Sequence, residues 1–158
     1  MRILLQRVTR ASVRVDAELL GSISRGYVLL VGVGIGDTKK DADLVAGKIA
    51  HLRLFEDGSD EKKRSALELN SESPTSIQML VISQFTLFAD VRKGRRPSYT
   101  NAAPGEVAAP LIDSFVRALR ALGFSTTVGR FGAKMEIELV NDGPVTIWLD
   151  SHDWTNRV

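Results

Sequence analysis

The sequence predicts a mixed α/β fold in which a sheet system is covered on one side by two helices. Three features predict it. Apolar runs of strand length recur along the chain, two segments place apolar residues at helical spacing, and neither a repeat nor a break in composition divides the 158 residues. We therefore expect one domain over residues 1–158.

The first elements are strands. In ILLQRVTRASVRVD, Val13 and Val15 alternate with polar neighbours, which predicts one or two half-buried strands. GYVLLVGVGIGDT predicts a buried strand from Tyr27 to Val33 that leads into a glycine-rich turn. Asp37 or Thr38 can then cap a helix that runs to about Leu54. Its predicted apolar face consists of Leu44, Val45, Ile49 and Leu52.

The middle of the chain alternates between polar and apolar stretches. EDGSDEKKRSALELNSESPTS is polar and turn-rich, so we expect it to be mobile. IQMLVISQFTLFAD predicts a strong strand, and VRKGRRPSYTNAAPGE predicts a basic loop.

A second helix is predicted from about Glu106 to Leu122, because Gly123 is suited to end it. Its predicted buried residues are Val107, Leu111, Phe115, Val116 and Leu119. Two or three closing strands, interrupted by NDGPVT, complete the fold.

Composition limits the available chemistry. Without cysteine the chain cannot form disulfides or thiolates, which fits a reducing cytoplasm. Of the two histidines, His51 lies on a predicted helix and His152 in a tail expected to be loose, so zinc sites and histidine-based triads are poorly supported. No run resembles a signal peptide or a membrane span. We expect a cytoplasmic protein with no metal, no cofactor and no membrane partner.

The net charge of the chain weakly favours binding to polyanions. The net charge is +2 and the isoelectric point is near 9.1. One run supplies four cations in five positions, namely Arg92, Lys93, Arg95 and Arg96, with Tyr99 close by. A solvated loop is the commoner explanation, and a loop that contacts nucleic-acid phosphates is the functional alternative.

The glycine-rich turn does not indicate a dinucleotide site. Gly32 and Gly34 start a G-x-G-x-x-G pattern, but Asp37 occupies the position of the third glycine. A carboxylate there would repel a pyrophosphate at the helix N-terminus. A tight turn with a helix cap is the better interpretation.

Two segments are unusual for the strands that contain them. Ser83, Gln84 and Thr86 place hydrogen-bonding groups around Phe85 in an otherwise apolar run, and burying such groups is costly unless they are paired. They could pair across an edge strand, or bind a carbonyl substrate and its developing oxyanion. Gly143-Pro144 interrupts the last strands, and by itself it would indicate a hairpin turn.

Together the two segments resemble a known family. SQFTL (Ser83 to Leu87) and NDGPVT (Asn141 to Thr146) are similar to the paired signature motifs of the D-aminoacyl-tRNA deacylases, also called D-tyrosyl-tRNA deacylases. QRVTRASVRVD, RKGRRPSY, AAP and GRFGAKM follow in the family's order and spacing, so the likeness spans nearly the whole chain. The stretch EDGSDEKKRSALELNSESPTS departs from the family, because it is longer and more polar than that region usually is.

The resemblance implies an α/β fold of layered, largely antiparallel sheets with two helices on one side, and a homodimer. It implies an ester hydrolase that removes D-amino acids, and in some settings glycine, from tRNA while rejecting L-aminoacyl-tRNA. In the family the Gly-Pro peptide is cis and reaches into the active site of the opposite subunit. Because glycine lacks a Cβ, bare carbonyls could approach the chiral centre and hold the α-ammonium, whereas an L side chain would collide with the backbone.

The resemblance also implies roles for individual residues. The catalytic segment is Ser83, Gln84, Phe85 and Thr86, followed by Leu87 as a substrate contact. The selectivity element is Gly143-Pro144, oriented by Arg7 and braced by Asn141 and Thr146. The pocket for the terminal adenosine of the tRNA is lined by Phe85, Phe131 and Met135, with Ala102 from the AAP block nearby.

The mechanism is open at one point. Thr86 is the only hydroxyl of the motif well placed to be a nucleophile, and no base lies near it in sequence. An aminoacyl ester on ribose carries a vicinal hydroxyl that can activate water, so we favour substrate-assisted hydrolysis with backbone N–H groups near Phe85 and Thr86 stabilising the oxyanion. A noncatalytic RNA-binding module is the competing class. A general esterase is disfavoured because the G-x-S-x-G motif is missing.

Overall fold

The computed structural model describes residues 1–56 and 63–155. The strands are β1 (Arg2–Val15), β2 (Glu18–Ile23), β3 (Gly26–Gly32), β4 (Arg53–Glu56), β5 (Lys63–Ser65), β6 (Gln78–Ser83), β7 (Ser125–Val128) and β8 (Glu136–Asp150). The helices are α1 (Lys39–His51), α2 (Ala66–Glu72), α3 (Gly105–Ala121) and α4 (His152–Thr155), with a 3₁₀ turn at Phe85–Phe88. Within the described ranges, no helix has the length and apolar character needed to cross a membrane.

The main sheet is mixed and is organised around β1. Its strand order is β2-β1-β3-β6-β7, and β8 pairs with the other edge of β1. β1 is antiparallel to β2, β3 and β8, whereas β3, β6 and β7 are parallel to one another. The predicted α/β fold with a mixed, largely antiparallel sheet system is confirmed. Besides the two long helices α1 and α3, the fold contains the short helices α2 and α4.

The sheet curls until it nearly closes. On the far side, the Thr127 hydroxyl lies 3.5 Å from the Ser22 carbonyl oxygen, and Arg130 forms an ion pair with Glu18 at 2.9 Å. These contacts bring β2 close to β7, which are the two ends of the strand order. The curled sheet therefore has an inner face as well as a face covered by helices.

Each face buries its own core. On the helix side, α1 and α3 pack on Ile3, Leu5 and Leu29 together with other apolar residues of the sheet. Inside the curl, a smaller core includes Val28 and Ile82. The side-chain alternation of β1 shifts near Thr9. Ile3 and Leu5 belong to the core on the helix side, whereas Val8, Ala11 and Val13 belong to the core inside the curl.

The first helix begins as predicted and ends earlier. Thr38 is its N-cap in a reciprocal capping box with Asp41, and Leu52 follows its last turn instead of lying within it. Leu44 was expected to be buried, but it is 40% exposed. The buried stripe is instead made largely of small side chains, namely Ala42, Val45, Ala46, Ile49 and Ala50. Alanines allow close packing against the sheet and α3, which leaves Leu44 on the solvent side.

The second long helix is also close to the prediction. Phe115, Val116 and Leu119 are buried, and Gly123 adopts a φ of +91° just after the helix. Leu111 is half-buried. Val107, in the first turn, is 42% exposed, so its predicted burial is wrong.

The polar stretch before β6 is more ordered than predicted. Residues 63–72 form β5 and α2, and α2 begins with a capping box between Ser65 and Glu68. The buried Asn70 then accepts a hydrogen bond from Ile77 N at 2.7 Å and donates to the Ile77 carbonyl at 3.1 Å. The prediction of a mobile, turn-rich stretch is wrong for these residues, and residues 57–62 lie outside the described residues.

Two residues of α3 test this account of the core. Phe115→Ala should lower the free energy of unfolding by about 3–5 kcal/mol, because it removes a fully buried ring between helix and sheet. Val107→Ala on the same helix should change it by less than about 0.5 kcal/mol. Urea denaturation at one fixed protein concentration measures both values, and similar losses for the two variants would contradict the packing described.

Candidate active site

The polar segment at the end of β6 turns instead of continuing the strand. The Gln84 N–H donates to the Val31 carbonyl at 2.7 Å, and the chain then enters the 3₁₀ turn. The turn packs closely on β3, since a Cβ added at Gly32 would lie 3.0 Å from the Gln84 carbonyl oxygen. The prediction of one long strand through FTLFAD is therefore wrong after Ser83.

A pocket of about 400 Å³ opens beside this turn. It lies at the carboxyl ends of the parallel strands β3 and β6 and at the N-terminus of α3, a common location for ligand sites in α/β proteins. Its lining is mostly apolar. Five of the residues that the sequence analysis assigned to the site line this pocket, namely Ser83, Gln84, Phe85, Phe131 and Met135.

Sequence reasoning missed other parts of the lining. Val31 and Ile82 close the pocket from the strands, while Ala103, Gly105 and Ala108 line it where α3 begins. The small residues of AAPGEVAA leave room for a ligand there, and their clustering was the available signal. Ala102 does not line the pocket. It bridges to Gly34, and the next residue donates to the Val33 carbonyl at 2.9 Å, which fixes the block against β3.

Thr86 and Leu87 lie in the turn but do not line the pocket. The Thr86 hydroxyl accepts a hydrogen bond from the Gln84 side-chain amide, and the Leu87 carbonyl accepts one from Arg2 at 3.1 Å. The backbone N–H groups of Phe85 and Thr86 are at the start of the turn, where helical geometry provides no acceptor within the turn.

The basic loop lies next to the turn. Asp90 and Ser98 pair through their backbones at 2.7 and 2.9 Å, which closes the loop. Arg92 forms a two-point ion pair with Asp90, and this hydrogen bonding holds the pKa of the Asp90 carboxyl well below its usual range. In the described parts of the chain, the remaining predicted phosphate contacts form no ion pair and are exposed: Lys93, Arg95 and Arg96.

Gly143-Pro144 lies in a bulge of one strand, so the hairpin interpretation is wrong. β8 pairs with β1 on both sides of the bulge, with Gln6 opposite Thr146 and Val8 opposite Asn141. Arg7 alone therefore stands opposite residues 142–145. The Gly143-Pro144 peptide bond is cis.

Side chains from both strands hold the bulge. The buried Arg7 contacts the Asp142 carboxylate at 2.9 Å and the Asp142 carbonyl at 3.3 Å, and it also donates to the Leu54 carbonyl. The Asn141 amide donates to the carbonyls of Arg7 at 2.8 Å and Val145 at 3.2 Å. At the far end, the Thr146 hydroxyl accepts from Gln6 at 3.3 Å.

The Arg7 guanidinium packs against a pair of stacked aromatic rings. Its guanidinium lies 5.9 Å from the centroid of Phe55, which stacks on Tyr27 at 5.2 Å, and Arg25 lies 4.9 Å from the same ring. Burial raises the pKa of the Tyr27 hydroxyl, which has no hydrogen-bond partner among the described residues. The guanidinium thus lies over the Phe55 ring and donates hydrogen bonds to two carbonyls.

The bulge and the pocket lie at opposite ends of β3. Arg7 pairs with Tyr27 near the start of that strand, whereas the pocket is lined by Val31 and residues beyond it. Four residues of strand separate the two levels by about 13 Å along β3 alone. No residue of 141–146 lines the pocket. The structure therefore does not bring the two sequence motifs together within one subunit.

One cluster of acidic and histidine side chains has the spacing of a metal site. Asp37, Asp41 and His152 offer ligand atoms within 4.8 Å of one another. The Asp37 oxygens, however, already accept hydrogen bonds from the Met1 ammonium and the Gly34 N–H, both at 2.6 Å. His152 Nε2 lies 3.0 Å from the same carboxylate, so the expectation that it sits in a loose tail is wrong. The cluster joins the chain's two ends to the start of α1.

Comparisons with known proteins find relatives over nearly the whole chain. The family model described as D-Tyr-tRNA(Tyr) deacylase matches residues 4–150. The D-aminoacyl-tRNA deacylase of Thermomicrobium roseum is 56% identical over 151 residues, which are 96% of this chain and 94% of that protein. The protein of the same name from Bacillus pumilus is 46% identical over 97% of this chain and 100% of its own length.

Two solved structures are similar in fold. One, described as c-Myc DNA Unwinding Element Binding Protein, has a TM-score of 0.85 and 38% identity, and the match covers 95% of this chain and 98% of that one. The other, described as a probable eukaryotic D-amino acid tRNA deacylase, has a TM-score of 0.75 and covers 94% of this chain and 97% of its own. At 19% identity the second likeness shows the fold alone.

The contacts of Arg7 predict a specific loss of stability. Arg7→Met keeps the apolar stem but leaves the partly buried carbonyls of Leu54 and Asp142 without this donor, so the free energy of unfolding should fall by about 2 kcal/mol. The ion pair adds little to this figure, because the Asp142 side chain is 37% exposed. Arg10→Met, at an exposed position of the same strand, is the control and should have an effect below about 0.5 kcal/mol. Equal effects in urea denaturation would show that the Arg7 contacts contribute no stability.

Proposed function

The chain belongs to the D-Tyr-tRNA(Tyr) deacylase family, and from this we propose that it hydrolyses the ester bond of D-aminoacyl-tRNA, releasing the free D-amino acid and tRNA. The enzyme is a hydrolase acting on a carboxylic ester. The family match over residues 4–150 carries this proposal. We place the activity in the cytoplasm, as chiral proofreading of the aminoacyl-tRNA used in translation.

The apolar pocket is suited to the terminal adenosine of the tRNA. Phe85 and Phe131 provide aromatic surfaces and Met135 an adaptable thioether, which suit a flat, extruded base. The polar end of β6 lies on the same pocket through Ser83 and Gln84. A base held between the rings would place its ribose, and the ester on it, near the 3₁₀ turn.

The turn supplies electrostatic stabilisation rather than a nucleophile. The N–H groups of Phe85 and Thr86 are the donors suited to a developing oxyanion. The described partner of the Thr86 hydroxyl is the Gln84 amide, which is not a base and cannot accept the hydroxyl proton. We therefore assign activation of the attacking water to the ribose 2′-hydroxyl of the substrate, with the protein positioning the ester.

Selectivity comes from Gly143-Pro144 of a second subunit. The bulge is exposed and lies far from the pocket of its own subunit, as the register of β1 and β3 requires. In an isologous homodimer each bulge can enter the other subunit's pocket, because such an interface brings unlike parts of two identical chains together twice. Arg7, Asn141 and Thr146 then act as positioning residues that hold the bulge.

Exclusion of L side chains by the backbone of the bulge also predicts how the enzyme acts on glycyl-tRNA. Carbonyls that hold the α-ammonium would reject an L side chain by collision and accept a D side chain on the other side. Glycine has no side chain to collide, so we propose that glycyl-tRNA is hydrolysed as well. The exposed cations Lys93, Arg95 and Arg96 attract the tRNA backbone without reading its sequence.

The mechanism can be tested with one variant and one modified substrate. Thr86→Ala should hydrolyse D-tyrosyl-tRNA within about tenfold of the wild type, whereas tRNA ending in 2′-deoxyadenosine should react about 10²-fold more slowly or worse, because general-base assistance is lost. Thr9→Ala, at an exposed position outside the site, is the matched control. An inactive Thr86→Ala enzyme together with rapid cleavage of the deoxy substrate would instead identify Thr86 as the nucleophile.

The contribution of the second subunit can be tested by mixing two defective chains. Gly143→Ala has room within its own subunit, since the nearest atom to the added Cβ is Asn141 Oδ1 at 3.5 Å, so loss of activity would report an approach from outside. Ala103→Trp fills the pocket. If the bulge acts in the partner's pocket, a heterodimer of the two chains has one intact site and regains about half of the activity of the wild-type dimer.

The mixing experiment has a result that would contradict the proposal. Heterodimers can be isolated with two different affinity tags and compared with each parent homodimer, both of which should be inactive. Activity that stays absent in isolated heterodimers would place Gly143 in the site of its own subunit. Circular dichroism of each parent shows whether either substitution has disturbed the fold.

A further inference from the structure

An aromatic pair lies on the rim of the pocket. Phe85 is 57% exposed and Tyr99 is 38% exposed, and their rings meet edge to face with centroids 5.0 Å apart at 73°. Phe85 lines the pocket, but Tyr99 does not. Tyr99 therefore stands outside the pocket with part of its surface open to solvent.

A second cleft, of about 450 Å³, lies beside the residue that precedes Tyr99. It is lined by Asp90, Arg92, Lys93 and Ser98. Ser98, the neighbour of Tyr99, is fixed by its backbone pairing with Asp90. Because Asp90 neutralises Arg92, the lining cation that forms no ion pair within the described residues is Lys93.

These features follow one another in the order that a nucleic-acid strand requires. The apolar pocket takes one base, the exposed Tyr99 lies next to the ring that lines this pocket, and Lys93 lines the cleft beside Ser98, the chain neighbour of Tyr99. Aromatic surfaces stack unpaired bases of any sequence, and cations contact the phosphates between them. The terminal nucleotide of a tRNA is always preceded by a cytidine.

We propose that Tyr99 stacks on the cytidine that precedes the terminal adenosine, and that Lys93 contacts the phosphate that joins these two nucleosides. The proposal rests on the proposed function, because it extends the adenosine pocket by one nucleotide. It makes Tyr99 and Lys93 a second subsite, which binds the strand and contributes no group to the ester chemistry. The alternative is that Tyr99 only supports the Phe85 ring.

The wild-type enzyme provides the first test, which does not depend on a variant that folds. D-tyrosyl-tRNA is assayed first, and failure to hydrolyse it would refute the proposed function alone. Next, kcat/KM is compared for adenosine carrying a 3′ D-tyrosyl ester and for cytidylyl-adenosine carrying the same ester. The added cytidylate should raise kcat/KM by about 5-fold or more, the range expected for one stacked base. Equal values would overturn the subsite.

The second test separates stacking from support of Phe85. Tyr99→Ala should lower kcat/KM for the dinucleotide ester at least about 5-fold more than for the adenosine ester, whereas Tyr99→Phe, which keeps the ring, should retain the wild-type ratio. Leu44→Ala is the matched control, since Leu44 is 40% exposed and lies on the distant α1. Equal losses on both substrates would show that Tyr99 only supports Phe85, and would contradict the proposal.

Lys93 gives an independent readout. Lys93→Gln should reduce the dependence of dinucleotide hydrolysis on salt concentration, because one phosphate contact is lost. It should leave the smaller salt dependence of the adenosine ester as it is, since that substrate has no phosphate. A salt dependence that is the same as in the wild type for the dinucleotide would exclude the assigned phosphate contact.

Discussion

The pairing of β1 with β8 is the constraint on which the rest of the structure depends. The two strands are antiparallel over almost their whole length, but their register changes between Gln6 and Val8, so that Arg7 stands opposite residues 142–145. The extra residues must leave the ladder, and they form the bulge that carries Gly143-Pro144. The opposite edge of β1 is shared by β3 and β2, which sets where the sheet begins to curl.

This constraint separates the bulge from the pocket. β3 pairs with the N-terminal half of β1, so its first residues lie beside the bulge and its last residues beside the pocket. One chain therefore presents a pocket at one end of the sheet and a rigid backbone element at the other. A twofold dimer would allow each chain to use both, and this is why we propose that a second subunit forms part of the site.

Local signals predicted much of the fold, and nonlocal ones account for the errors. Thr38 and Gly123 marked helix ends through their own backbone chemistry. The end of β6 could not be predicted, because FTLF is as apolar as a strand and its turn packs on Gly32, which is distant in sequence. The burial of Leu44 was predicted wrongly since alanines, which give a weak apolar signal, form the buried stripe.

Local and nonlocal signals also differ in how well they predict the site. The convergence of Phe85, Phe131 and Met135 on one pocket agrees with what the family resemblance implies, although their role in binding adenosine stays a prediction. The position of Arg7 opposite the bulge depends on a strand register between distant parts of the chain, which composition and spacing do not encode. The rim at Tyr99 was visible in the sequence only as an aromatic residue beside a basic run.

The central claim of the proposed function is that the chain hydrolyses D-aminoacyl esters of tRNA and excludes L-aminoacyl esters from the same site. Its most direct test is the rate of release of tyrosine from tRNA charged with D-tyrosine and from the same tRNA charged with L-tyrosine, measured with wild-type enzyme in metal-free buffer. We expect rapid release of D-tyrosine, with L-tyrosyl-tRNA remaining as stable as it is without enzyme. Release of both enantiomers at similar rates, or of neither, would contradict this account.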